Sequence, residues 1–311
     1  MVAFEQTLGR YRLLRLLGQG GVGQVHLACS HGAAGFEKLV ALKILRPELT
    51  TDPEQMRCLR EEARIGVELE HQHIVQVLDL GEEANKYFIV MEYIRGFSLA
   101  EVLSFLRKSQ ARLPEFVALH VFRAMSRALD HVHARTGDRG EESFFHGDVS
   151  ASNVMLGASG RIALGDFGVA ALLHLNPERL AGKWSYVPPE AMLGARVSSD
   201  WDLFALGALL YEMLAGVKAF PCDSFASRAK LGEQCAPVRD YRPDLSVDLA
   251  AAVDGFLTPV LSDRPENAEQ MRAAVDAVTP HGGDDVDEYL RYISGLFRDD
   301  DFVRSHGELP S

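Results

Sequence analysis

Runs of alternating apolar and polar residues fill the first third of the chain. Runs with apolar residues three and four apart fill most of the rest. Tyr11–Leu17, Gln24–Cys29 and Leu39–Leu45 read as strands, and so do Ile74–Leu78 and Tyr87–Met91. Between them, residues 53–70 have helical spacing, with Asp52 as N-cap and Pro53 at the first helical position. After Gly96, Ser98–Lys108 and Pro114–His133 read as helices. Asp202–Leu214 is apolar on nearly every side, which predicts a helix buried in a core. Leu249–Phe256 and Ala268–Val278 predict two more. The expectation is an α+β chain with a small β-rich lobe over residues 8–94 and a larger helical lobe over 95–280. An acidic tail over 281–311 carries an amphipathic helix, with Val286, Tyr289, Leu290, Ile293, Leu296 and Phe297 on one face. That face packs on the large lobe or binds a regulatory protein partner.

Charge and composition narrow the function. Lys plus Arg number 32 and Asp plus Glu 44, a formal net charge of −12. With no basic run, non-specific binding to nucleic acid or anionic membrane is disfavoured. The longest apolar candidate, Phe204–Ala215, is interrupted by Glu212 and too short for membrane insertion. Met1–Glu5 lacks a basic-then-apolar signal pattern. Cys29, Cys58, Cys222 and Cys235 show no metal-binding spacing and read as free thiols, so a cytoplasmic location is expected.

Candidate chemistry lies in a series of short motifs. Gly18-Gln19-Gly20-Gly21-Val22-Gly23-Gln24-Val25 lets backbone N–H groups approach phosphate oxygens, and it leads into a strand, unlike a dinucleotide-binding turn. Val40-Ala41-Leu42-Lys43 follows on a strand, and Arg60-Glu61-Glu62-Ala63 lies on the helix after it. His146-Gly147-Asp148-Val149-Ser150-Ala151-Ser152-Asn153 has an Asp and an Asn five apart. Asp166-Phe167-Gly168, Pro188-Pro189-Glu190, Asp202–Gly207 and Asp263-Arg264-Pro265 complete the series.

These motifs in this order resemble the eukaryotic-like Ser/Thr protein kinase superfamily over roughly residues 8–280. H-x-D-V-S-x-x-N with Gly182-Lys183-Trp184-Ser185-Tyr186 resembles the kinases abundant in myxobacteria. The resemblance implies a bilobal protein-kinase-like fold and transfer of the ATP γ-phosphoryl group to Ser/Thr hydroxyls of a protein substrate. It implies Asp148 as catalytic base, a Lys43–Glu62 ion pair on the α- and β-phosphates, and Asn153 and Asp166 as ligands of Mg²⁺ or Mn²⁺. Leu17, Gly18, Gly20, Gly21, Gly23, Val25, Ala41, Met91, Glu92, Ile94 and Met155 would surround the nucleotide. Asp202 would anchor the catalytic loop, and Arg264 would pair with Glu190.

Three positions depart from the family. Gly147 replaces an arginine that clamps a phosphorylated activation loop. Residues 166–190 carry only Ser185 and Tyr186 as hydroxyl side chains, so activity is expected not to depend on loop phosphorylation. Ser150 replaces a lysine that stabilises the transferring phosphoryl group. Lys183 stands where the family has a threonine, so an exchange of lysine and hydroxyl is expected, with Lys183 reaching Asp148. Gly66, one turn after Glu62, replaces a bulky apolar residue stacked with Leu78, His146 and Phe167. It is expected to leave a gap and a mobile helix, since glycine weakens a helix by about 1 kcal/mol relative to alanine. Gly147 and Gly66 also support an alternative reading, a nucleotide-binding pseudokinase acting as scaffold or allosteric regulator.

Overall fold

The computed structural model describes residues 6–21, 23–32, 35–51, 53–135, 144–166, 183–230, 234–279, 286–299 and 302–303, apart from the side chains at positions 49, 54, 55, 57–59, 61, 62 and 65. Asp52, Phe167, Gly168 and Gly182 therefore lie outside the described residues. The chain divides into two compact units. One is built on Met1–Ile94, the other on Arg95–Asp166 and Leu180–Ser311.

The first unit is a six-stranded antiparallel sheet with helices beside it. Its strands are β1 (Thr7–Leu8), β2 (Tyr11–Gln19), β3 (Gly23–His31), β4 (Glu37–Leu45), β5 (Val77–Glu83) and β6 (Lys86–Glu92), in spatial order β1-β2-β3-β4-β6-β5. Among the described residues its helices are α1 (Pro47–Thr50) and α2 (Pro53–Glu68). Register assigns the two faces. Ala28 pairs with Val40, Leu42 with Val90 and Ile44 with Phe88. With Leu8, Tyr11 and Leu13, these residues form one apolar cluster. Alternation sends their neighbours Val25, Ala41, Lys43 and Met91 to the opposite face.

Gly66 leaves no gap. It is buried on α2, and a Cβ built there would meet Val77 Cγ2 at 2.7 Å. The glycine lets helix and strand approach closely, and Val77 holds the position expected of Leu78, which is 38% exposed. The strand expected at Ile74–Leu78 begins only at Val77. Ile74 and Val75 are buried without joining the ladder.

The second unit is helical with one small sheet. After β7 (Gly96–Ser98) come α3 (Leu99–Lys108) and α4 (Glu115–His133), then β8 (Val154–Gly157) and β9 (Ile162–Leu164). These strands form a three-stranded sheet in the order β7-β8-β9. Among the described residues the remaining α-helices are α5 (Pro189–Met192), α6 (Ser199–Ala215), α7 (Phe225–Lys230), α8 (Val247–Phe256), α9 (Ala268–Val278) and α10 (Val286–Leu296). Ser98 starts α3 with a reciprocal cap: its hydroxyl accepts from Glu101 N–H, and the Glu101 carboxylate accepts from Ser98 N–H at 2.7 Å. In α6 every residue from Asp202 to Ala215 is buried, as its apolar circumference requires.

The tail helix α10 lies on this unit. Tyr289 sits 4.6 Å from the His120 ring of α4, and Leu290 packs against Gly160. Beyond the helix, Phe297 and Phe302 contact Phe97 edge-on at 4.9 and 4.7 Å. Of the two expectations for the apolar face, packing on the large lobe is the one observed, with Val286 alone of its six residues exposed. No helix of the described residues is long and apolar enough to cross a membrane.

Candidate active site

In the first unit the glycine-rich turn and strands β3, β4 and β6 bring the expected nucleotide residues to one sheet face. Gly18 pairs with Val25, Val25 with Lys43, and Ala41 with Met91. Gly18, Gly20 and Gly21 are exposed, with nothing within 4 Å of a Cβ placed on them, so their backbone is open to a ligand. Gly23 differs: a Cβ there would strike the Ile44 carbonyl oxygen at 2.0 Å, so it permits close pairing of β3 with β4. Leu17 is 38% exposed at the end of β2, whereas Lys43, Met91 and Ile94 are buried. Glu92 ends β6, its carboxylate accepting from Gln76 N–H at 2.8 Å. Glu62 lies on α2, but its side chain is outside the described residues.

The second unit assembles residues 146–153, the expected catalytic loop, around Asp202, a carboxylate buried in α6. Asp202 accepts from His146 N–H at 2.6 Å and from Gly147 N–H at 2.7 Å, and it bonds the His133 ring at 2.8 Å. Gly147 has φ +72°, a conformation that glycine adopts without a Cβ penalty. This turn presents two successive N–H groups to one carboxylate. The glycine therefore has a backbone reason for being there.

His146 links two further parts of the loop. Its Nδ1 accepts from Asp148 N–H at 3.1 Å, and its Nε2 donates to the Gly165 carbonyl at 3.0 Å. The first bond requires an unprotonated Nδ1, so the ring is neutral and carries its proton on Nε2. Burial agrees, pushing the imidazole below its ordinary pKa of 6.5.

Asp148 is buried, and donors hold it on one side. Asn153 Nδ2 donates to its carbonyl at 2.8 Å and to its Oδ2 at 2.9 Å. Lys183 Nζ also reaches Oδ2 in an ion pair. Ser150 is buried too, its hydroxyl 3.0 Å from that of Ser152. Lys183 thus points at Asp148, from the opposite end of the activation segment.

Asn153 and Asp166 come from adjoining strand ends. The β8–β9 pairing is extended by Gly165 N–H donating to the Asn153 carbonyl at 2.8 Å. Asp166 has φ +61°, a strained backbone for a non-glycine residue that Asp tolerates better than most. Because Asn153 Nδ2 is committed to Asp148, its Oδ1, which accepts from the Ser152 hydroxyl at 3.5 Å, is the atom that could hold a cation. An amide oxygen and a carboxylate suit a hard divalent ion such as Mg²⁺. Met155, on β8, is half-buried.

Two hydroxyls just before Pro188 are tied down by groups that the motifs did not reveal. Tyr186 donates to the buried Glu212, which also pairs with Arg107 at 3.1 Å, and its oxygen accepts from Ala151 N–H at 3.4 Å. Burial, then Glu212, raises the phenol well above its ordinary pKa. The Ser185 hydroxyl donates to the Cys222 carbonyl at 3.2 Å. Arg264 clasps Glu190 through both terminal nitrogens, the pairing that the family motifs implied. The sequence marks Tyr186 as a loop hydroxyl and Glu212 as a break in an apolar run, and nothing in it points to the two as partners.

Comparison with known proteins gives a consistent family. The model of the protein kinase domain matches residues 11–272. The tyrosine-protein kinase MasK of Myxococcus xanthus is 33% identical over 283 residues, covering 89% of this chain and 44% of that protein. The serine/threonine-protein kinase PrkC of Bacillus subtilis is 29% identical over 331 residues, covering 99% and 47%. The chain spans about half the length of these curated relatives. The crystal structure of the Mycobacterium tuberculosis PknI kinase domain aligns with a TM-score of 0.68 at 30% identity, covering 89% of this chain and 98% of that one.

Proposed function

The chain belongs to the protein kinase domain family, and from that premise we propose that it transfers the γ-phosphoryl group of ATP to Ser/Thr hydroxyls of protein substrates. The observation that carries this reading is Asp148, a buried carboxylate gripped on Oδ2 by Asn153 and Lys183. Its Oδ1 is left to orient a substrate hydroxyl and accept its proton. As the hydroxyl oxygen forms a bond to the γ-phosphorus, the bond to the β,γ-bridging oxygen breaks and ADP leaves. Mg²⁺ or Mn²⁺, held by Asn153 and Asp166, would neutralise charge on the phosphates. Lys43 would serve the α- and β-phosphates, with Glu62 as the partner that the family resemblance implies, and the exposed glycines Gly18, Gly20 and Gly21 offer their N–H groups. In the first unit, Val25, Ala41, Met91 and Ile94 would line the base, with Leu17 at its edge and the Glu92 backbone on its polar side.

Lys183 takes the place of the lysine absent at Ser150. Its ammonium is already beside the catalytic carboxylate, where it can stabilise charge as the phosphoryl group transfers. The loop turn H-x-D-V-S-x-x-N with this lysine is, in our reading, one myxobacterial-type solution. Turnover does not wait for loop phosphorylation: residues 167–182 contain no Ser, Thr or Tyr, and the hydroxyls of Ser185 and Tyr186 are buried and hydrogen-bonded. The pseudokinase alternative rested on Gly147 and Gly66. Both are explained by local backbone geometry and close packing, so neither argues for lost activity. An ATP-dependent activity with free thiols fits the cytoplasm.

The test is incorporation of label from γ-labelled ATP with Mg²⁺ or Mn²⁺, with phosphoamino-acid analysis. Wild type should label Ser or Thr and Asp148→Ala should not. Equal labelling by both proteins would overturn the proposal. Comparison of the phosphoproteomes of the two strains would identify the substrate.

A further inference from the structure

We propose that the β3–β4 hairpin holds a thiophilic divalent cation, with Zn²⁺ as the fitting ion, through Cys29, His31 and Glu37. Cys29 and His31 are two apart on β3 and so share a face. Glu37 is the direct cross-strand partner of His31, and the hairpin is closed by Gly32 N–H donating to the Phe36 carbonyl at 2.7 Å. One ligand atom from each of the three side chains lies within 4.8 Å of the other two. Bonds of about 2.0–2.3 Å in a tetrahedral site need ligand atoms about 3.3–3.8 Å apart. The required closure of about 1 Å is within reach of side-chain rotation, because His31 and Glu37 are exposed.

The donor set selects the metal. A thiolate, an imidazole and a carboxylate together carry two negative charges, which balance a dication. Sulfur and nitrogen donors favour zinc over the hard ions that suit the all-oxygen pair Asn153 and Asp166. The exposed side leaves a fourth position for water. The site is therefore chemically distinct from the one serving phosphoryl transfer and lies in the other unit. Sequence spacing missed it because the ligands come from a Cys-x-His pair and a carboxylate beyond a turn, not from paired cysteines.

One group opposes binding. Arg12 pairs with Cys29 in the β2–β3 register, and its Nη2 stands 3.8 Å from the Glu37 oxygen that meets His31. A cation entering the site displaces this guanidinium toward solvent. Removing its charge should then strengthen metal binding, whereas a mere surface ion-pair cluster would acquire no metal affinity by that change.

Titration of the whole chain with Co²⁺ and then Zn²⁺ tests the site. One equivalent of Co²⁺ should give a thiolate-to-cobalt charge-transfer band that Zn²⁺ abolishes. Cys29→Ser should remove the band, and Cys222→Ser with Cys235→Ser should leave it. His31→Ala and Glu37→Gln, both at exposed positions, should each weaken binding at least tenfold, and Arg12→Gln should tighten it. Zn²⁺ should raise the Tm of wild type and not that of His31→Ala. A missing band, a band that survives Cys29→Ser, or unchanged affinity in His31→Ala and Glu37→Gln would overturn the site.

Discussion

Arg264 grips Glu190 with both prongs of its guanidinium, Nη1 to Oε1 at 2.8 Å and Nη2 to Oε2 at 2.9 Å, across 74 residues of chain. The arginine is buried, lies over the Phe204 ring and also donates to the Thr258 carbonyl at 2.8 Å. Lysine cannot reproduce a planar fork, and removing one partner strands a charge. Arg264→Ala should therefore lower stability by about 3 kcal/mol or more, and Arg264→Lys should not restore wild type. Urea denaturation of both variants measures this, with Arg264→Ala/Glu190→Ala expected to recover part of the loss.

Lys183→Ala should lower kcat by about 10²-fold or more, the usual cost of losing a positioned charge at a transition state, with little change in the Kd for ATP. The exchange with Ser150 makes a sharper expectation. Lys183→Ala/Ser150→Lys should regain much of the lost turnover, because the ammonium returns to the catalytic loop. Steady-state kinetics of the three proteins decide it, and a double variant as slow as Lys183→Ala would remove the exchange.

Gly66→Ala poses helix propensity against packing. Alanine is favoured in a helix by about 1 kcal/mol, yet its Cβ would stand 2.7 Å from Val77 Cγ2. Overpacking of this kind costs about 1–3 kcal/mol, so the substitution should destabilise. Adding Val77→Ala should reverse the sign. Thermal unfolding of the single and double variants reads both effects.

How much of this was legible depended on the kind of signal. Asn267 caps α9 with its side chain at 2.8 Å from Gln270 N–H, and the helix spans Ala268–Val278 as its periodicity predicts. The partnerships of Asp202 and of Arg264 with Glu190 were legible because family motifs specify residue pairs far apart. β7 and β8 were not, since three or four residues cannot establish a period. Gly66 was misread because sequence reports a missing side chain but not the strand that fills its space. Gly147 was read as a lost cation, while its φ of +72° became visible only with the backbone. The clasp of Tyr186 on Glu212 joins two elements whose separate patterns say only that each is buried.

His146 should make stability fall on acidification. The folded protein keeps the ring neutral, with its pKa below 6.5, whereas the unfolded chain titrates near that value. Below about pH 6.5 the unfolded state takes up a proton that the folded state refuses, so stability declines until the lower folded pKa is passed. His146→Gln, which cannot charge, should show a shallower fall in Tm between pH 7 and 5.5 than wild type. Other histidines titrate in both proteins, so the difference between the two curves carries the result, and parallel curves would exclude His146 as a source.

Phe302 tests whether the tail is part of the second unit or a detachable arm. Its ring is fully buried, 4.7 Å from Phe97 and 5.0 Å from Phe105, and its N–H donates to Asp299 Oδ1 at 3.0 Å. Truncating a buried phenylalanine costs about 3–5 kcal/mol where the surroundings cannot collapse. Phe302→Ala should therefore lower the stability of the whole second unit and reduce hydrogen-exchange protection in α3, which carries Phe105. A detachable tail would lose protection only in α10 and leave α3 unchanged. Hydrogen exchange resolved by peptide separates the two outcomes, because β7 and α3 contribute Phe97 and Phe105 to the same aromatic cluster.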